Sequence, residues 1–133
     1  MSDPSSPADP TDYEPPSARA RRLVREACRS WPDHRIEDAE LLVTELVANA
    51  VRHANGPVGL NIVGNPDLLR VEVTDASPEH PNRIERPPPV YAEGGRGLFL
   101  VSVIADAWGS ESTGQGPTPG KTVWFELRRD AAL

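Results

Sequence analysis

The 133-residue chain has one cysteine, Cys28, and one lysine, Lys121, against 13 arginines. A lone cysteine excludes an internal disulfide and fits a reducing cytoplasm. No stretch approaches the roughly 18 consecutive apolar residues of a membrane span. The start has neither the basic residues nor the apolar run of a signal peptide. Basic charge is also short: 20 acids face 14 bases, for a net charge of −6. A nucleic-acid binder would instead carry a basic face or stripe. Histidine is too sparse for a metal centre, since His34, His53 and His80 have no ligand partner at helical spacing. There are no internal repeats.

What is present falls into two parts. Residues 1–16 contain five prolines, four acids and, apart from Met1, no aliphatic residue larger than alanine. Such a segment cannot bury enough surface to offset its ordering entropy, so it reads as a disordered tail. Residues 17–130 read as one domain, long enough for a core and too short for two. Ser17, after Pro15-Pro16, is a candidate N-cap for a helix to about Trp31, with Ala20, Leu23, Val24, Ala27, Cys28 and Trp31 on one stripe. The arginines at 19, 21, 22, 25 and 29 lie mostly off it, as a solvated face or a docking surface. A second helix, from about Ile36 to Ala54, buries Ala39, Leu42, Val43, Leu46, Val47, Ala50 and Val51. Asn55-Gly56-Pro57 ends it through a glycine at positive φ.

Alternation then predicts strands over residues 58–63, 69–75 and 121–127. A third helix is expected from Gly97 to about Trp108, and loops over 76–93 and 109–119. The first of these loops holds five prolines and suits a mobile lid hinged at Gly94-Gly95.

Chemistry gathers at three places. Glu45 and Asn49 stand four residues apart on one side of a helix. An asparagine beside an apolar helix face calls for a reason, and a bound ion is one. Asp75 continues the phase of Leu69, Val71 and Val73, which sends a carboxylate to the covered side of a sheet, costly without a partner. Gly94-Gly95-Arg96-Gly97 opens a helix, either as a plain turn or as a phosphate site made by unpaired first-turn N–H groups. A P-loop at Gly120-Lys121-Thr122 fails, because position 115 is Gln and a strand follows where a helix is needed. His53 reads as a helix-end residue near the carboxyl-terminal dipole.

The chain resembles the GHKL (histidine-kinase-like) ATPase superfamily, and within it the short serine/threonine kinases that act as anti-sigma factors. The resemblance covers about residues 17–128. It rests on Ala18 to Arg25, Glu45-Leu46-Val47-Ala48-Asn49-Ala50-Val51-Arg52-His53-Ala54, Val71-Glu72-Val73-Thr74-Asp75, Gly95-Arg96-Gly97-Leu98-Phe99-Leu100-Val101, and Gly120-Lys121-Thr122-Val123-Trp124, in that order.

The resemblance implies a Bergerat-type ATP-binding fold: an α/β (α+β) two-layer sandwich with a mixed, mainly antiparallel sheet and three helices on one face. It implies ATP and Mg²⁺ as cofactors. Glu45 matches the acid that orients or deprotonates the attacking hydroxyl, and Asn49 the Mg²⁺ ligand. Asp75 matches the acceptor of the adenine amino group. Gly95, Arg96, Gly97 and Leu98 match the glycine box beside the phosphates, and Thr122 a threonine near adenine. The implied function is phosphorylation of an anti-sigma-antagonist protein by a cytoplasmic homodimer that also holds a sigma factor, with no direct contact to nucleic acid or membrane. The family's Asp-x-Gly-x-Gly box reads Asp75-Ala76-Ser77-Pro78-Glu79 here, without its glycines. That departure motivates an alternative: a regulatory binding module, with or without nucleotide, that has lost turnover.

Overall fold

The computed structural model describes residues 14–54, 56–57, 59–77, 96–113 and 119–130. Most of the tail, all but the first two residues of the 76–93 loop, and Gly94-Gly95 lie outside the described residues.

Three helices and four strands follow in the order α1 (Pro16–Ala27), α2 (Asp33–Ala54), β1 (Gly59–Gly64), β2 (Leu68–Asp75), α3 (Arg96–Ile104), β3 (Ala107–Thr113) and β4 (Gly120–Arg128). Proline rather than serine starts α1. Pro15 is the N-cap without a side-chain bond, and Pro16 holds the first turn, where its missing N–H costs nothing. The helix ends earlier than its apolar stripe. Cys28 and Trp31 are buried in the turn beyond it, where Trp31 N–H bonds to Cys28 O at 2.9 Å. Along α2, Ala39, Leu42, Val43, Leu46, Val47 and Ala50 are buried at helical spacing. Val51, expected in that set, is 54% exposed, because it lies about 100° round the helix from Ala50. Gly56 stops the helix with φ at 118°.

The sheet runs β1-β2-β4-β3 and every pairing is antiparallel. It is therefore not mixed among the described residues. Asn65 closes the β1–β2 hairpin, its Oδ1 accepting the N–H groups of Asp67 and Leu68 at 2.9 Å each. Helix α1 packs on β1, α2 on β2 and β4, and α3 on β3.

On the helix-covered face, β2 and β4 pair rung by rung as Leu69 with Leu127, Val71 with Phe125, and Val73 with Val123. All six side chains are buried. Each such side chain contributes about 1.5–3 kcal/mol on leaving water.

Strand β3 was not expected, and it replaces both the last turn of the anticipated third helix and the start of the loop after it. Its sequence, Ala107-Trp108-Gly109-Ser110-Glu111-Ser112-Thr113, offers only Trp108 as a large apolar residue. An edge strand buries little, so its alternation is weak in the sequence. Gly109 is needed there: a Cβ would come within 2.9 Å of the Trp124 ring lying over it.

A buried arginine locks one end of the sandwich. Arg35, 5% exposed, donates from Nε to Arg128 O at 3.0 Å and from Nη1 to Asp38 at 3.1 Å. Its Nη2 donates to Asp106 at 3.1 Å. Asp106 Oδ2 also accepts Arg128 N–H at 2.7 Å. The start of α2, the end of β4 and the turn between α3 and β3 are thus fixed together.

Candidate functional site

The Arg35 lock decides where the expected site residues lie. From Arg35 to Asn49, α2 advances roughly 21 Å at about 1.5 Å per residue. From Arg128 back to Lys121, β4 covers roughly 23 Å at about 3.3 Å per residue. Helix and strand therefore carry Asn49 and Lys121 to the same, opposite end of the sandwich. Asp75 pairs with Lys121 in the ladder, so it lies there too. Helix α3 leads into Asp106 at the locked end and packs against α2.

Glu45 is half-buried and Asn49 is buried, at 2% exposure. Among the described residues, the buried Asn49 Oδ1 has no hydrogen-bond partner. An unmet buried carbonyl is costly, and few native side chains leave one. The Asn49 neighbours on the helix, Leu46, Val47 and Ala50, are buried apolar residues.

Asp75 has a partner that the sequence reading did not assign. Lys121 Nζ donates to Asp75 Oδ1 at 3.0 Å and sits 2.8 Å from Oδ2, with both side chains 1% exposed. Ser77 N–H also donates to Oδ1, at 2.8 Å. The signal was available, since Lys121 shares the inward phase of Val123, Phe125 and Leu127, as Asp75 shares that of Val73. Gly120 permits the close approach: a Cβ there would overlap the Asp75 backbone oxygen.

The same alternation sets Thr122 on the other face of the sheet. One residue along from Lys121, it points to the open face, where its hydroxyl is 2.8 Å from that of Thr74. The sheet lies between it and the Asp75 carboxylate. Gly95 lies outside the described residues, as do the side chains at 96–98. Of the box, the structure places the backbone of Arg96, Gly97 and Leu98 at the helix start.

A family model described as the histidine kinase-like ATPase domain matches residues 7–127. The chain belongs to this family. A comparison with curated proteins gives no match. Membership points to ATP as the ligand of a histidine kinase-like ATPase domain, and to a kinase-like use of it.

The donor set of this domain fits a magnesium-bound nucleotide. Among the described residues no group of three or more His, Cys, Asp or Glu could hold a metal by itself. Mg²⁺ does not need such a cage, because it takes one or two protein oxygens and fills its shell with phosphate oxygens and water. The free Asn49 Oδ1 is an oxygen of that kind. No helix among the described residues is long and apolar enough to cross a membrane.

Proposed function

We propose that this domain is an ATP- and Mg²⁺-dependent serine/threonine-protein kinase that acts as an anti-sigma factor, phosphorylating a small anti-sigma-antagonist protein in a partner-switching pathway. The observation that carries the reading is the buried, unpartnered Asn49 Oδ1, one helical turn from the carboxylate of Glu45. A buried carbonyl oxygen without a partner does nothing for the fold, whereas a metal–nucleotide complex would satisfy it.

In this reading Asn49 holds the metal. Bound Mg²⁺ would neutralise phosphate charge, the main requirement of phosphoryl transfer beyond positioning. Glu45, half-buried where Asn49 is buried, orients the acceptor hydroxyl and takes its proton. The N–H groups of the first turn of α3, which have no partner within the helix, suit phosphate oxygens. Asp75 accepts from the purine base.

The homodimer of this proposal is supported by β1, an edge strand among the described residues, whose Gly59–Gly64 sequence contains neither charge nor proline. Edges left unblocked in this way are prone to pair with another chain. The cytoplasm is the compartment proposed for the dimer and for its antagonist and sigma-factor partners.

The Asp75–Lys121 ion pair favours a second reading. It satisfies the buried acid without any ligand, as a binding module that has given up nucleotide would require. Labelled ATP with Mg²⁺ and candidate antagonist proteins tests the choice, with Glu45→Ala as the diagnostic variant. The kinase reading expects retained nucleotide affinity and lost transfer. Equal loss of both, or no transfer by the wild type to any antagonist, counts against it.

A further inference from the structure

The Asp75–Lys121 pair does more than neutralise charge. A carboxylate offers about four lone-pair positions and an ammonium three protons. Asp75 Oδ1 accepts from Lys121 Nζ and from Ser77 N–H, while among the described residues Oδ2 has Lys121 Nζ alone beside it. Both groups therefore keep capacity: an acceptor position at Oδ2 and a proton on Nζ, side by side. The pair is the last rung of the β2–β4 ladder, at the end of the sandwich that also holds Asn49.

An acceptor beside a donor matches one edge of a purine in two ways. Adenine presents its 6-amino donor next to the N1 acceptor. A 6-oxo purine such as guanine or hypoxanthine presents the O6 acceptor next to the N1–H donor. A lone buried carboxylate would suit only the first, because it repels O6. With the Lys121 ammonium in place, O6 has a donor and N1–H has Asp75.

We propose that Lys121 is a base-specificity residue that opens this site to 6-oxo purine nucleotides as well as adenine nucleotides. This rests on the reading of Asp75 as the base acceptor. Sites built to hydrogen-bond a particular group discriminate strongly against ligands lacking it, so a second donor changes which bases are tolerated.

The test is titration calorimetry of the wild-type chain with Mg-ATP, Mg-GTP, Mg-ITP and Mg-CTP. The expected result is ATP, GTP and ITP binding within about tenfold of one another and CTP far weaker. Lys121→Met should then weaken GTP and ITP by at least about tenfold relative to ATP. If the single variant does not fold, Asp75→Asn/Lys121→Met removes both charges together and should lose the purine preference. Wild-type protein that binds ATP but takes GTP and ITP about a hundredfold more weakly overturns the role of Lys121 and leaves the ATP site standing. An equal effect of Lys121→Met on all purines overturns it as well. No binding of any nucleotide sinks this inference and the kinase reading together, in favour of the binding module.

Discussion

The two faces of the sheet carry ion pairs from the same strands under opposite conditions. On the covered face, three apolar rungs of β2 and β4 end in Asp75–Lys121, with both side chains 1% exposed. On the open face, Arg70 bridges Glu72 and Glu126 at 3.0 Å each, with all three side chains about 30% exposed. The Arg70 guanidinium also lies 4.1 Å from the centre of the Trp124 ring, and Asn61 donates to Glu72 at 3.0 Å. The open-face array is an ordinary way to cover a half-wet sheet: partly solvated charges, an aromatic platform and small net gains. The covered pair is different. Desolvating two charges costs more than their attraction readily returns, and a well-packed apolar pair would often be at least as stable. A fourth apolar rung would have continued the ladder, so a charged rung there asks for a function beyond stability.

That comparison is sharpest under substitution. Lys121→Met leaves the Asp75 carboxylate buried without its cation and should cost about 3–5 kcal/mol in urea or thermal unfolding. The double variant Asp75→Asn/Lys121→Met should recover much of that loss. A double variant no more stable than the single would mean that the two charges are not coupled.

Arg70→Ala on the open face should cost only about 0.5–1 kcal/mol. A loss as large as that for Lys121→Met would erase the distinction between the faces.

The smallest expected effect is on pH dependence. The Asn61 hydrogen bond, followed by that of Arg70, holds the Glu72 carboxyl below its ordinary value of 4.5. The folded state thus favours the carboxylate, and the resulting stability is present above that value and lost as pH falls through the folded pKa. Glu72→Gln should therefore lower stability slightly at neutral pH and flatten the acid limb below about pH 4.5, where variant and wild type converge. A variant with the same acid limb as the wild type would show that Glu72 contributes nothing to it.

The sequence made the strongly patterned parts of this structure readable and hid those that work by single contacts. The stripe of α2 and the alternation of β2 and β4 were legible because each buries many residues at one period. Strand β3 was not, since an edge strand with Gly109, Ser110 and Ser112 at its centre carries almost no hydrophobic signal. Arg35 was missed for another reason: two of its three partners are the Arg128 carbonyl and Asp106, 93 and 71 residues away, and no local pattern marks those two.

In the site, the inward phase of Asp75 was readable from β2 alone. Thr122, matched by resemblance to a threonine near adenine, falls on the opposite face, because adjacent strand residues face opposite ways. Glu45 and Asn49 were legible as a pair, but that Asn49 Oδ1 would be left without a partner follows only from how the helices pack.

The most direct measurement is Mg-ATP calorimetry on the wild type and on Asn49→Ala, with thermal melts of both. Alanine removes an unsatisfied buried carbonyl and is the better helix former, so the variant should melt no lower than the wild type. Its Mg-ATP affinity should fall beyond detection, while the wild type binds. An Asn49→Ala variant that melts well below the wild type yet binds Mg-ATP equally would contradict the account, placing Asn49 in the scaffold and not in the nucleotide site.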